Sequence, residues 1–115
     1  MESSILVVDD DRDVLDLADY FFRDAGLEVH CAENGWQALE KIRGNRFSVM
    51  ITDFNMPGMD GLELARKASE IAPDLRIVMV TGHPNRELSE QASDAGIVAV
   101  IAKPLQLEGL LDLIK

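Results

Sequence analysis

Five times in 115 residues, an apolar run of strand length gives way to a stretch with helical spacing, and the connections are short. The runs are Ile5-Leu6-Val7-Val8, Leu27 to Cys31, Phe47 to Thr52, Ile77-Val78-Met79-Val80, and Ile97 to Ala102. After the first run, Val14, Ala18, Phe21, Phe22 and Ala25 recur at helical spacing and Gly26 supplies a stop. Asn34 is placed to cap a helix carrying Trp36, Leu39 and Ile42, which ends at Gly44-Asn45. Asp60 heads a helix with Leu62, Ala65 and Ala68, and Asn85 heads one with Leu88, Ala92 and Ala95. Leu107, Leu110, Leu111 and Ile114 form a last apolar stripe.

Strands that are apolar on both faces and alternate with helices imply a parallel sheet covered on each side. The expected fold is therefore α/β: a flavodoxin-like (βα)5 three-layer sandwich with strand order 2-1-3-4-5 and right-handed crossovers. Two helices would cover one face and three the other. The more polar second run would lie at an edge. No repeat, linker or low-complexity stretch interrupts the pattern, so residues 1–115 read as a single domain.

In such a sheet all strands point the same way, and ligands bind in the crevice beyond their carboxyl ends. Four of the five runs end there on groups that handle metal or phosphate. These are Asp9-Asp10-Asp11, then Asp53, then Thr81-Gly82, then Lys103-Pro104. Strands one and three are neighbours across the topological switch point, so Asp9 and Asp10 would face Asp53, with Thr81 and Lys103 alongside.

Composition narrows the function classes. The formal net charge of −10, with no basic cluster, disfavours direct contact with nucleic acid or an anionic membrane. No apolar run approaches the ~20 residues that span a bilayer, and no export signal is recognisable at the N-terminus. The one cysteine, Cys31, excludes an internal disulfide and fits a reducing cytoplasm, where it reads as a half-buried packing residue. Asp13, Asp16 and Asp19 read as a solvated helix face, Met50 and Met79 as strand core, and Trp36 as packing or a partial surface anchor. His30 and His83 have no cysteine or carboxylate at ligand spacing in the sequence.

Three clustered carboxylates repel one another unless a cation compensates. A hard divalent ion such as Mg²⁺ suits one or two carboxylates, a carbonyl and several waters, with positions left for phosphoryl oxygens. Asp53 then becomes a carboxylate nucleophile that forms an acyl phosphate. Lys103 supplies the opposite charge, and the Thr81 hydroxyl can donate to a phosphoryl oxygen. Positioning and charge neutralisation are most of what phosphoryl transfer requires.

Val7-Val8-Asp9-Asp10-Asp11, the stretch Asp53-Phe54-Asn55-Met56-Pro57-Gly58-Met59-Asp60-Gly61, Thr81-Gly82 and Lys103-Pro104 together resemble the receiver domain of two-component response regulators, including the chemotaxis-type regulators. The resemblance covers essentially the whole chain. It implies a phosphorelay signalling domain, not an enzyme, that promotes its own phosphorylation and dephosphorylation. The donor would be a histidine kinase phosphohistidine, a phosphotransfer protein or a small molecule such as acetyl phosphate. Asp53 would carry the 4-aspartylphosphate. Asp10 and Asp53 would ligate Mg²⁺ with the Asn55 carbonyl, and Asp9 would bind through water. Thr81 and Lys103 would contact the phosphoryl group, and the Lys103–Pro104 bond would be cis. The output surface would be the fourth helix, fifth strand and fifth helix, read by another protein, by an output domain outside these residues, or through a phosphorylation-dependent dimer. The last helix is about a turn shorter than in the family, as expected of a receiver excised from a longer protein.

Departures from the family pattern also matter. Where receivers commonly carry Tyr or Phe three residues before the strand-five lysine, this chain has Val100, so the usual aromatic switch cannot operate. Readout would pass instead through the Gly82 to Asn85 loop. Asn55 and His83, two residues past Asp53 and Thr81, would border the path of water to the acyl phosphate and tune its hydrolysis. Competing classes fit less well. A haloacid-dehalogenase-like phosphatase needs a second Asp where Asn55 stands, and a flavodoxin-type FMN site needs a Ser/Thr/Gly-rich loop where three carboxylates stand. A receiver-like interaction module that is not regulated by phosphorylation is the remaining alternative, kept open by Val100.

Overall fold

The structure is a computed structural model describing residues 4–104 and 106–114. Ten elements alternate along the chain: β1 (Ser4–Val8), α1 (Arg12–Asp24), β2 (Glu28–Ala32), α2 (Gly35–Gly44), β3 (Val49–Asp53), α3 (Gly61–Ile71), β4 (Arg76–Thr81), α4 (Arg86–Asp94), β5 (Ile97–Ala102) and α5 (Leu107–Ile114). The strands pair in parallel in the order β2-β1-β3-β4-β5. This is the expected flavodoxin-like arrangement, with the polar β2 at one edge.

The sheet separates two apolar cores. One side holds Leu15, Ala18 and Phe22 of α1 and Leu110 of α5 against Ile5, Val7, Val49, Ile51, Val78 and Val80. The other holds apolar residues of α2, α3 and α4 against Leu6, Val8, Met50, Ile77 and Met79. The period-2 alternation of each strand therefore feeds both layers. Leu15, absent from the sequence stripe, is buried at the centre of α1, while Val14 and Phe21 are half-buried flanks and Ala25 is an exposed cap. Met50, Met79 and the half-buried Cys31 sit as expected.

The short polar residues before the helices do what their chemistry suggests. The side chains of Asn34, Asp60 and Asn85 accept from the N–H groups of Gln37, Glu63 and Leu88 at 2.9, 2.9 and 2.8 Å. Each satisfies an N–H with no partner inside its helix, a contribution of about 1 kcal/mol. The observed strands shift slightly from the apolar runs: β2 runs one residue later, and β3 begins at Val49 and takes in Asp53. A bulge between β4 and β5 pairs Ile77 with Ile97 but Val78 with Ala99, which leaves Val98 exposed. No helix among the described residues is long and apolar enough to cross a membrane.

Candidate functional site

Register aligns the strand ends. Val8 pairs with Thr52, Asp53 with Val80, and Thr81 with Ala102. Asp9, Asp53, Thr81 and Lys103 consequently meet at one edge of the sheet. Asp9 extends the β1–β2 ladder by donating its N–H to the Ala32 carbonyl at 3.1 Å, and the Lys103 N–H donates to the Thr81 carbonyl at 2.8 Å. The Lys103–Pro104 bond is cis.

One oxygen from each of Asp9, Asp10 and Asp53 can be chosen so that all lie within 4.8 Å of one another. Asp9 and Asp53 are only 6% and 4% exposed, whereas Asp10 faces solvent. Burial pushes the Asp9 carboxyl up to about 6, and the negative charges of Asp53 and Asp10 add to the shift. The Asp11 N–H, donating to Asp9 Oδ1 at 2.9 Å, and the Lys103 ammonium oppose it.

Lys103 Nζ stands 3.1 Å from Asp53 Oδ1. Beyond this ammonium, the buried Oδ1 has no polar partner among the described residues. Burial works against the Lys103 ammonium, but Asp53, Asp9 and Asp10 outweigh it and raise the net pKa. The Thr81 side chain is 1% exposed, and its Oγ1 accepts from the His83 N–H at 3.2 Å. The hydroxyl proton of Thr81 is thus left to donate elsewhere.

The loop after Asp53 begins with Phe54 donating to the Val80 carbonyl, and closes with Gly61 donating to the Phe54 carbonyl, both at 2.9 Å. Gly61 has to be glycine: a Cβ there would lie 2.6 Å from the Asp53 carbonyl oxygen. Asn55 is exposed at this loop. With Phe54, Thr81, His83 and Leu88 it borders an open cleft of about 270 Å³. Val100 is half-buried against the three-helix core, alongside Phe54, and Pro104 is exposed.

Of the two histidines, His83 lies beside this edge and His30 does not. His30 Nε2 contacts Glu28 Oε2 at 3.2 Å on β2, and its ring packs edge-to-face on Phe47 at 5.2 Å. Glu28 and His30 meet because residues i and i+2 of a strand share a face, a neighbour the sequence reading did not count.

The family model described as the response regulator receiver domain matches residues 5–115. The chain belongs to that family. It is 37% identical to the response regulator receiver protein CpdR of Brucella abortus over 94% of this chain and 90% of that protein. It is 39% identical to a response regulator receiver protein of Anaeromyxobacter, but spans only 45% of that protein's length. A CheY-like receiver domain protein of Methanospirillum hungatei superposes with a TM-score of 0.94 at 35% identity, over 99% of this chain and 91% of that one. A Burkholderia pseudomallei response regulator, crystallised with a phosphorylated aspartic acid, a calcium ion and citrate, superposes at 0.92 with 25% identity over 99% of this chain and 67% of that one. Receiver domains bind Mg²⁺ at an acidic pocket. This receiver's donor set fits such an ion: three hard oxygen ligands in reach of one another, one of them from the buried Asp53, whose Oδ1 has no polar partner among the described residues but the Lys103 ammonium.

Proposed function

We propose that this receiver accepts a phosphoryl group on Asp53 and uses it to switch a protein-binding surface. The observation that carries the reading is the Asp53 carboxylate. It is nearly sealed from water, has the Lys103 ammonium as its one polar partner at Oδ1 among the described residues, and lies within reach of two further carboxylates. A carboxylate with such weak solvation by its own protein remains nucleophilic, and its surroundings favour an arriving cation and phosphoryl group.

Asp10 and Asp53 would hold Mg²⁺ together with the Asn55 carbonyl, with Asp9 acting through water. The ion supplies neutralisation of phosphoryl charge and a template for its oxygens. An Asp53 oxygen attacks phosphorus as the bond from phosphorus to the donor imidazole nitrogen breaks, and the electron pair of that bond returns to the ring. Lys103 exchanges its ion pair with Asp53 for one with the phosphoryl oxygens, and the Thr81 hydroxyl donates to another. The donor is a histidine kinase or phosphotransfer protein, with acetyl phosphate as a small substitute. Pro104 fixes the chain direction just beyond Lys103.

The resulting acyl phosphate shifts an inactive–active equilibrium, because Thr81 and Lys103 interact differently in the two states. The surface that reads the shift is α4, β5 and α5. Val100 removes the aromatic side chain on which such readouts commonly depend, so displacement of the Gly82 to Asn85 segment carries the signal. His83, whose N–H is already tied to Thr81, borders the approach of water with Asn55 and sets the lifetime of the phosphoryl group. Such chemistry belongs to a reducing cytoplasmic compartment, consistent with the single thiol.

Incubation with Mg²⁺ and acetyl phosphate, followed by intact-mass measurement, tests the reading. Gain of one phosphoryl group is expected in the wild type and not in Asp53→Asn. Absence of any gain with small donors and kinases alike, or a gain that persists in Asp53→Asn, refutes it. In the first case an interaction module independent of phosphorylation becomes the better account, as Val100 would suit; in the second another residue is the acceptor.

A further inference from the structure

The loop that carries Asn55 is thinly held by its own backbone. Among the described residues its main-chain bonds are four: Phe54 to Val80, Gly61 to Phe54, Leu64 to the Asp60 carbonyl at 3.0 Å, and Met59 to Pro57 at 3.1 Å. The first two fasten its ends. Met56 and Met59 sink into the three-helix core, while Asn55, Pro57 and Gly58 are exposed. The exposed tip therefore needs a brace from outside.

α2 provides one. Trp36, the chain's single tryptophan, is 58% exposed but its ring is not without a neighbour. Its ring lies directly over Gly58, so close that a methyl group on Gly58 would overlap ring carbons Cη2 and Cζ3. Gly58 has φ +82°, a conformation natural to glycine, and the missing side chain leaves room for the indole. The preceding residue, Gly35, makes a second close contact: a Cβ there would lie 3.0 Å from Met59 Cγ. Two successive residues at the start of α2 thus clasp two successive residues of the loop.

We infer that Trp36 is a positioning residue for the metal site: its ring pins Gly58 and so holds the loop that presents the Asn55 carbonyl beside Asp9, Asp10 and Asp53. The inference rests on the Mg²⁺ site proposed above. It extends that site to a side chain on a different element, three residues along the chain from Asn55 through Gly58. Removing the ring leaves the carboxylates in place but lets the carbonyl wander, so the cost falls on metal affinity.

Calorimetric titration of Mg²⁺ into the full chain tests this, with unfolding midpoints measured without metal as the control for folding. Trp36→Ala is expected to weaken Mg²⁺ binding about tenfold, the scale on which residues supporting a metal ligand act. Trp36→Phe, which keeps an aromatic ring over Gly58, recovers most of the loss. Tyr20→Ala, which removes an exposed aromatic from α1 on the opposite side of the sheet, leaves affinity unchanged. Wild-type tryptophan emission changes on Mg²⁺ addition, and this response disappears in Asp53→Asn. Should Trp36→Ala unfold, Gly58→Ala provides a second route: it displaces the ring and weakens Mg²⁺ binding, and in a Trp36→Leu background, which keeps an apolar side chain but no ring over Gly58, its cost is smaller. Unchanged Mg²⁺ affinity in Trp36→Ala overturns the inference, and so does equal cost of Gly58→Ala in both backgrounds. The metal site itself still stands in those cases if Asp53→Asn abolishes binding. Equal binding by wild type and Asp53→Asn refutes both.

Discussion

Replacing Asp9 by Asn is expected to make the metal-free protein more stable, although it removes a residue assigned to the metal site. The Asp9 carboxyl titrates at about 6 against a usual 3.8, because it is buried beside Asp53 and Asp10. A group whose folded-state pKa is raised stabilises the fold below its unfolded pKa, and that stability is lost as pH rises through the folded value. Above about pH 6 the fold therefore carries the cost of holding Asp9 ionised. At about 1.4 kcal/mol per pKa unit, the shift sets a ceiling of about 3 kcal/mol, and relaxation reduces the expected gain to about 1–2 kcal/mol. Asn keeps an oxygen for the Asp11 N–H that Asp9 Oδ1 now accepts at 2.9 Å, so little else is lost. For a domain of this size the gain amounts to a rise in Tm of roughly 4–8 °C. Thermal and urea unfolding of both proteins with a chelator present, across the acid to neutral range, measures it. The difference between them should be near zero below the usual carboxylate pKa and reach its plateau above about pH 6. Saturating Mg²⁺ should then narrow the gap, because a ligand at a hundredfold excess over its Kd adds about 2.7 kcal/mol to a protein that binds it fully. Equal or lower stability of Asp9→Asn at neutral pH, or a difference that does not vary with pH, would refute the electrostatic account.

Phe22→Ala empties a fully buried position between α1 and the sheet and is expected to cost about 3–5 kcal/mol, read from denaturant midpoints. Gly61→Ala forces a Cβ to 2.6 Å from the Asp53 carbonyl oxygen, so it should slow phosphorylation by acetyl phosphate; an unchanged rate would show that the loop shifts at no cost. His83→Ala should alter the acyl-phosphate half-life and its dependence on pH, followed by decay of the phosphorylated mass after donor removal. Val100→Ala should leave phosphorylation-dependent partner binding largely intact, and its abolition would return the readout to that position.

The order of the sheet could be read from the sequence because doubly apolar strands in strict alternation with helices have few ways to pack. The strand-end cluster followed from that order: once β1 and β3 are neighbours, Asp9, Asp10 and Asp53 have nowhere else to be. Contacts between side chains far apart in the chain were not legible. Nothing in Trp36 or Gly58 announces that one lies on the other, since the encounter depends on how α2 settles against the loop before α3. The pairing of Glu28 with His30 was local but disguised by spacing. Ala25 lies outside the core because α1 stops at Asp24, a boundary that apolar periodicity fixes poorly.

The site is assembled from strands of unequal stiffness. Asp9 and Asp53 end strands β1 and β3, which lie inside the sheet with apolar layers on both sides. Lys103 follows β5, an edge strand that is half exposed, carries a bulge at Val98, and holds the site only through β4. The proposed acceptor is thus set among buried strands paired on both sides, and its counter-charge beyond a half-exposed strand paired on one side. Under the proposed phosphorylation of Asp53, displacement of the Gly82 to Asn85 segment after β4 would meet its least-packed neighbour in β5.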